Sequence, residues 1–405
     1  MTNTVHSRLG TAALAVGVLI AGGSSASAQT SWTRGNGTAG LWSNVGQWNL
    51  GVGPVPDAAT PLLFGVNTFD ALAQLQTTFA GGVSASAAGI TFTNTTSKVI
   101  RGQASNNVNA NTHTLRLGSS GITLAEASLT TGTVVIYNAP NGNASSNVST
   151  MVVEVNNAQT FTNNAASPLQ FGRPDGLAGT LIRPGADSSA GTHALTLAGT
   201  GAGPISFYAA IQDQPADATK IRSLVVNRSG VGTGAVQLFG ANTYSGSTDV
   251  SAGTLLLNGI NSGGGATTVG SGGILSGTGS LAGPISFGTG GKFLFSSTAP
   301  LTVTGTVSFV DPASFGIDDI VGLTSSVTDG SYTLMSGSVS NVASLQNFGA
   351  GAAADLGSGK SAYFQQAFGG GLQAVVVPEP STVAIVGIAG VVAASVRRLN
   401  RRRAR

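Results

Sequence analysis

The sequence has no cysteine among its 405 residues, so no disulfide can staple the fold in any compartment. Charge is scarce: Asp, Glu, Lys and Arg make up 8% of the chain, against about 25% in an ordinary soluble domain. Three histidines are present, and no His-Glu-x-x-His pattern, which leaves a zinc site short of ligands. Between residues 30 and 380 no stretch of ten or more keeps a 3.6-residue hydrophobic period, so no long helix is expected there. What fills the chain is glycine, 60 residues of it, with Ala, Ser, Thr and Asn. That balance suits short strands and tight turns, stabilised by stacking, better than a compact helix-bearing enzyme.

The formal net charge of +3 is a property of the ends. Arg8 and the run Arg397, Arg398, Arg401, Arg402, Arg403 and Arg405 hold seven of the 18 basic side chains, leaving 11 against 15 acidic ones. The body is therefore near −4 and offers no basic face for nucleic acid.

Arg8 is followed by an apolar, small stretch from Leu9 to Ala21, then by a polar segment closing on Ala26-Ser27-Ala28. This is the three-part form of a secretory signal, with Ala26 and Ala28 at the positions a signal peptidase must accommodate. Export through the Sec translocon and cleavage after Ala28 are expected, since thirteen apolar residues are few for a bilayer span.

At the other end, Val377-Pro378-Glu379-Pro380 precedes Ser381–Val396, 16 residues without a charge, and then the arginine run. As a helix that span reaches about 24 Å, short of a core of about 30 Å unless the flanking arginines snorkel. The arginines are expected to stay cytoplasmic, with the body outside. The two prolines hold the peptide around Glu379 extended, where a membrane protease could reach it. A plain tail anchor with a Pro-rich stalk fits the same physics.

The order of Pro-Glu-Pro, short apolar span and Arg-rich terminus over 377–405 resembles the PEP-CTERM sorting domain of exported bacterial proteins. The resemblance implies an exosortase, a membrane-embedded protease, as partner. Pro378, Glu379 and Pro380 would be its recognition residues, and residues 381–396 would hold the precursor transiently in the inner membrane. The weakly charged, Asn-, Ser- and Thr-rich body would suit low-affinity, multivalent contact with an exopolysaccharide.

In the body, short apolar runs recur between Gly, Asn and Ser clusters: Leu115–Leu117, Met151–Val155, Leu195–Leu197, Leu224–Val226, Leu255–Leu257, Phe293–Phe295 and Leu301–Phe309 among them. They read as strands. Phrases repeat as well. Gly-Pro-Ile-Ser-Phe occurs at 203–207 and 283–287, Thr-His-x-Leu-x-Leu at 112–117 and 192–197. Gly253-Thr254-Leu255, Gly273-Ile274-Leu275 and Gly291-Lys292-Phe293 follow at intervals near 20. That period predicts an all-β fold, an elongated right-handed parallel β-helix, with Leu255, Leu257, Leu275, Phe293 and Phe295 inward; an irregular β-sandwich is the alternative. At roughly 20 residues per coil, at most about 17 coils would make a rod on the order of 80 Å. The stretch from Gly240 to Val250 followed by Ala252-Gly253-Thr254-Leu255 resembles the autotransporter-associated β-strand repeat of β-helical passengers, which carries no active site. The chain thus divides into a signal peptide (1–28), an N-terminal β-rich cap region (29–110), a β-helix (111–310, repeat at about 240–259), a C-terminal β-rich region (311–376) and the sorting tail (377–405). Trp32, Trp42 and Trp48 read as a cover for the first coil, a sugar-stacking platform being the sharper alternative.

No catalytic set stands out. His113 and His193 sit before alternating leucines and read as coil-edge positions. Asp318-Asp319 and Asp213 with Asp217 are the close acidic pairs, and neighbours on a strand point to opposite faces. Gly357-Ser358-Gly359-Lys360-Ser361 has the look of a phosphate loop, but Ala354 stands where its first Gly is required. No cofactor or metal is expected. The sequence predicts an exported, non-enzymatic structural or adhesive surface protein. The alternative is a β-helical carbohydrate-active enzyme, a polysaccharide lyase or hydrolase.

Overall fold

The structure is a computed structural model. It describes residues 150–379 except 176–178 and 231, and before them the segments 30–31, 40–41, 61–64, 72–77, 84–93, 98–104, 112–125 and 132–139. The signal segment with Ala26 and Ala28, the three tryptophans, Pro380 and the span 381–396 lie outside the described residues. The described chain is all-β, its only helical pieces being short 3-10 turns.

Strands stack in parallel, each on the corresponding strand of the coil before it, and one inward column shows the plan. Thr30 pairs with Leu62, Leu62 with Ile90, Ile90 with Ile122, Ile122 with Phe161, and Phe161 with Leu197. The column continues through Val226, Val250, Val269, Phe287 and Phe309. From Leu62 onward every member is at most 7% exposed. A second column runs Ile100, Ile136, Phe171, Phe207, Leu238 and Leu257. A third runs Ile182, Ile211, Asn242, Asn261, Leu281 and Val303. Three stacked faces around one apolar interior make a parallel β-solenoid. Alternation along each strand turns every second side chain inward, so β-branched and aromatic residues fill the interior without a helical period. Rings continue the stacking, with Phe161, Phe171 and Phe207 at centroid separations of 5.1 and 4.9 Å.

The coil length is not constant. Ile122 to Phe161 is 39 positions and Phe161 to Leu197 is 36, whereas Val250 to Val269 is 19 and Val269 to Phe287 is 18. The period near 20 therefore holds in the C-terminal coils, where Gly253 pairs with Gly273, Leu255 with Leu275 and Leu275 with Phe293. It fails in the middle, where outward loops lengthen each coil. The first column has eleven levels. At about 4.8 Å per step the described levels span about 48 Å, inside the bound of about 80 Å set by uniform short coils.

Other expectations are corrected as well. The two Gly-Pro-Ile-Ser-Phe phrases lie on different faces, one pairing with Val236–Leu238 and the other with Val307–Phe309 of a different column. They are similar solutions to a local problem, a corner followed by an inward Ile and Phe, and not register repeats. The run from Leu301 to Phe309 is two strands, Leu301–Val303 and Val307–Phe309, on separate faces. Leu255, Leu257, Leu275 and Phe293 are buried. Phe295 is partly buried just beyond its strand, edge-on to Tyr332 at 5.2 Å.

The stack ends in a change of direction. Gly330–Ser336 continues it in parallel on one side and pairs antiparallel with Leu372–Pro378 on the other, followed by Lys360–Gln366 and Ala354–Gly357. Phe315 covers Phe309 at 4.5 Å, and Phe364 lies 5.9 Å beyond it. An apolar layer thus closes the open interior of the last coil.

Candidate functional site

Two places bear on function: the repeat around Gly240–Leu257 and the end of the last strand. In the repeat, each residue that gives the motif its identity is used in stacking. Asn242, 1% exposed, accepts a hydrogen bond from the Ile211 N–H at 3.0 Å and donates to the Gly240 carbonyl at 3.1 Å. It pairs in register with Asn261 of the next coil. Tyr244 is buried with its hydroxyl 2.7 Å from Thr248 Oγ1, and it accepts from Asn261 Nδ2 at 3.0 Å. Burial pushes its phenol up to about 12. Gly253 has φ +83, and a Cβ there would lie 2.5 Å from the Arg228 carbonyl oxygen, so both backbone angle and space require glycine. Val250, Leu255 and Leu257 complete the inward set.

The tail begins where the terminal sheet stops. Pro378 pairs with Lys360 as the last residue of its strand. Glu379 donates its N–H to the Gly359 carbonyl at 2.8 Å, and both Pro378 and Glu379 are exposed. Pro378 and Glu379 thus stand at the end of the terminal sheet, with Pro380 outside the described residues.

Of the candidate catalytic carboxylates, Asp318 is exposed, and the others are engaged by hydrogen bonds. Asp319 accepts from the Gly316 N–H at 3.0 Å inside a 3-10 turn. Asp213 accepts from the Arg222 N–H at 2.7 Å and from both the N–H and hydroxyl of Ser245. Asp217 accepts from Thr219, whose hydroxyl and N–H hold its carboxyl below the usual range. The Gly357–Ser361 segment is a hairpin turn with Gly357, Ser358 and Gly359 at positive φ, and Lys360 donates to the Val327 carbonyl. The histidines stand near the starts of their strands, second and third residue respectively, and are buried. His113 is fully buried, with neither ring nitrogen partnered among the described residues, and burial lowers its pKa. His193 is 5% exposed, its Nε2 2.7 Å from the Ser189 carbonyl oxygen. Among the described residues no group of three or more His, Asp or Glu could hold a metal ion, and no helix is long and apolar enough to cross a membrane.

Two buried residues escaped the sequence reading. Arg222 and Arg228 are at most 1% exposed. Arg222 donates to the Val155 and His193 carbonyls, each at 2.9 Å, and Arg228 to those of Gly201 and Gly203 at 2.6 and 2.9 Å. Desolvation pulls both down to about 10, with Asp213 opposing it for Arg222. Both remain charged at neutral pH and tie backbone carbonyls of earlier coils together. The signal was available: Arg222, Leu224, Val226 and Arg228 share one parity along the chain, so the two arginines point with the core residues.

The family model described as a passenger-associated-transport-repeat matches residues 231–257. That stretch includes most of 240–259, and the match supports the resemblance to the autotransporter-associated repeat. Neither the curated proteins nor the solved structures yield a match.

Proposed function

We propose that the protein is an exported, non-enzymatic structural or adhesive component of the cell surface or extracellular matrix, released by exosortase processing of its PEP-CTERM tail. The observation that carries this reading is the passenger-type repeat built into an uninterrupted parallel solenoid. Its motif residues serve stacking, and Asp213, Asp217 and Asp319 each accept hydrogen bonds from neighbouring residues. The exposed Pro378-Glu379 at the end of the terminal sheet supports the tail as a protease substrate, with signal peptidase acting at the other end. The inner membrane is a transient station, and an exopolysaccharide is the surrounding polymer.

The test is the intact mass of the exported protein. The mature chain is expected to begin at or near Gln29, to end close to Pro378-Glu379-Pro380, and to lack the arginine run. Glu379→Ala is expected to leave the precursor in the membrane fraction. Arg397–Arg405 still attached in the released fraction would make the tail a permanent anchor and overturn the processing.

A further inference from the structure

On the outer side of the wide middle coils, a groove of about 460 Å³ is lined by Thr114, Arg116, Glu154, Arg183, Gln214 and Lys220, among others. Its floor is a ladder of charges. Arg116 pairs in register with Glu154, and Glu154 with Arg183, on three successive coils. The neighbouring Leu115, Leu117, Val153, Val155 and Ile182 are inward, so by alternation the three charged residues face outward. The Glu154 side chain is 4% exposed and accepts from Arg116 Nε at 3.0 Å on one oxygen and from Arg183 Nη2 at 2.9 Å on the other. Arg116 and Arg183 keep 38% and 21% of their side-chain surface. Beside them Lys220 donates to the Ala186 carbonyl and lies 3.3 Å from Asp217. The groove therefore holds three cations and two carboxylates on a body that is otherwise net acidic.

We propose that this groove binds the carboxylates of an acidic, uronate-bearing polysaccharide lying along the solenoid axis. Glu154 satisfies one edge of each guanidinium and fixes both; Arg116 makes no other hydrogen bond among the described residues. The remaining N–H groups point a rigid fork at a second carboxylate. Successive coils are about 4.8 Å apart, so the groove from Arg116 to Lys220 spans about 14 Å, a length suited to a few residues of a chain. Thr114 and Gln214, both buried, shape the groove wall, the Gln214 nitrogen donating to the Pro184 carbonyl at 2.9 Å. A nucleic acid carries a charge every 1.7 Å or so and needs a broadly basic face. The sparse charge of a uronate chain suits one positive groove on an acidic body.

The inference rests on the surface-protein reading. It is tested with the purified exported protein by calorimetry against tetragalacturonate, cellotetraose and a short DNA duplex. Binding of tetragalacturonate that weakens with salt, without binding of cellotetraose, is expected. Arg116→Gln, which leaves Glu154 paired with Arg183, is expected to weaken it about tenfold, the worth of one charge-assisted hydrogen bond. Asp217→Asn, which removes a repelling carboxylate, is expected to tighten binding, a gain that misfolding cannot imitate. Unchanged affinity in Arg116→Gln, equal binding of cellotetraose, or DNA bound as tightly as the uronate would overturn the groove assignment. If the exported, trimmed protein fails to bind, this inference alone falls; if the chain is not exported, the surface reading falls whatever it binds.

Discussion

The wide coils between Ile122 and Val226 and the narrow ones between Val250 and Phe309 share one inward column, yet differ in almost everything outside it. Steps of 29 to 39 positions in the first region become steps of 18 to 22 in the second. In both regions glycines sit where a Cβ would meet the backbone of the coil below, Gly201 on Ala165 and Gly259 on Gly240, and the narrow coils add a near-constant spacing. The wide coils and the strand stretches bordering them, from Thr112 to Arg228, hold the buried arginines, His113, His193 and the charged groove. The lesson is that the stack fixes the inner face alone. Chain added outside it costs little loop entropy and is where charge and buried polar groups collect.

If the inner column is shared, equal insults to it should have equal effects. Leu197→Asp in a wide coil and Val269→Asp in a narrow one are each expected to cost several kcal/mol, because each buries an unpaired carboxylate in an apolar interior. Urea midpoints followed by circular dichroism measure this, and a marked difference between the two would break the comparison. A helix-rich spectrum of the unsubstituted protein would remove the solenoid itself.

The outer paths should respond unequally. Gly253 and Gly232 have nearly the same positive φ, +83 and +78, but a Cβ meets the Arg228 carbonyl at 2.5 Å in the first case and nothing within 4 Å in the second. Alanine at Gly232 is expected to cost about 1 kcal/mol from backbone strain. Alanine at Gly253 carries that cost plus the displacement of a neighbouring coil, and the difference in melting temperature isolates the crowding.

The smallest effect separates the regions by pH. Burial lowers the pKa of His113 from its ordinary 6.5, so the unfolded chain binds the extra proton first and stability rises with pH. The contribution is present above about pH 6.5 and is lost as pH falls through the folded value. Hydrogen exchange is expected to speed up on acidification around Thr112–Leu124 and Thr150–Val155 before it does in the narrow coils. His113→Leu is expected to remove that slope.

The sequence made the narrow coils readable because their spacing is held near 20, so Gly253, Gly273 and Gly291 fall into line. In the wide coils, loops of different length break the period, and the phrase at 192–197 stacks on 221–226 while its double at 112–117 stacks on 150–155. The groove was hidden for the same reason. Glu154 lies 38 positions from Arg116 and 29 from Arg183, and their meeting is decided by register across loops. Arg222 and Arg228 were legible in principle from parity, but a charged side chain on the inward side contradicts the hydrophobic pattern and is naturally read as a turn. The proposed sorting tripeptide is read from chain order instead, so naming Pro378 and Glu379 needs no knowledge of packing.

The antiparallel sheet that closes the last coil also sets the length of the object. An unfinished parallel stack presents a row of unpaired backbone groups and an open apolar end, which is a template for another copy of itself. Here the reversal at Leu372–Pro378 and the bulged, short outer strand Ala354–Gly357 with its Asp355 leave that template nowhere to continue. Growth of a fibre is stopped by the same strand that leads into the tail. Trimming beyond Pro378 spares the stopper, whereas a cut before Leu372 would uncover a surface able to recruit its neighbours end to end.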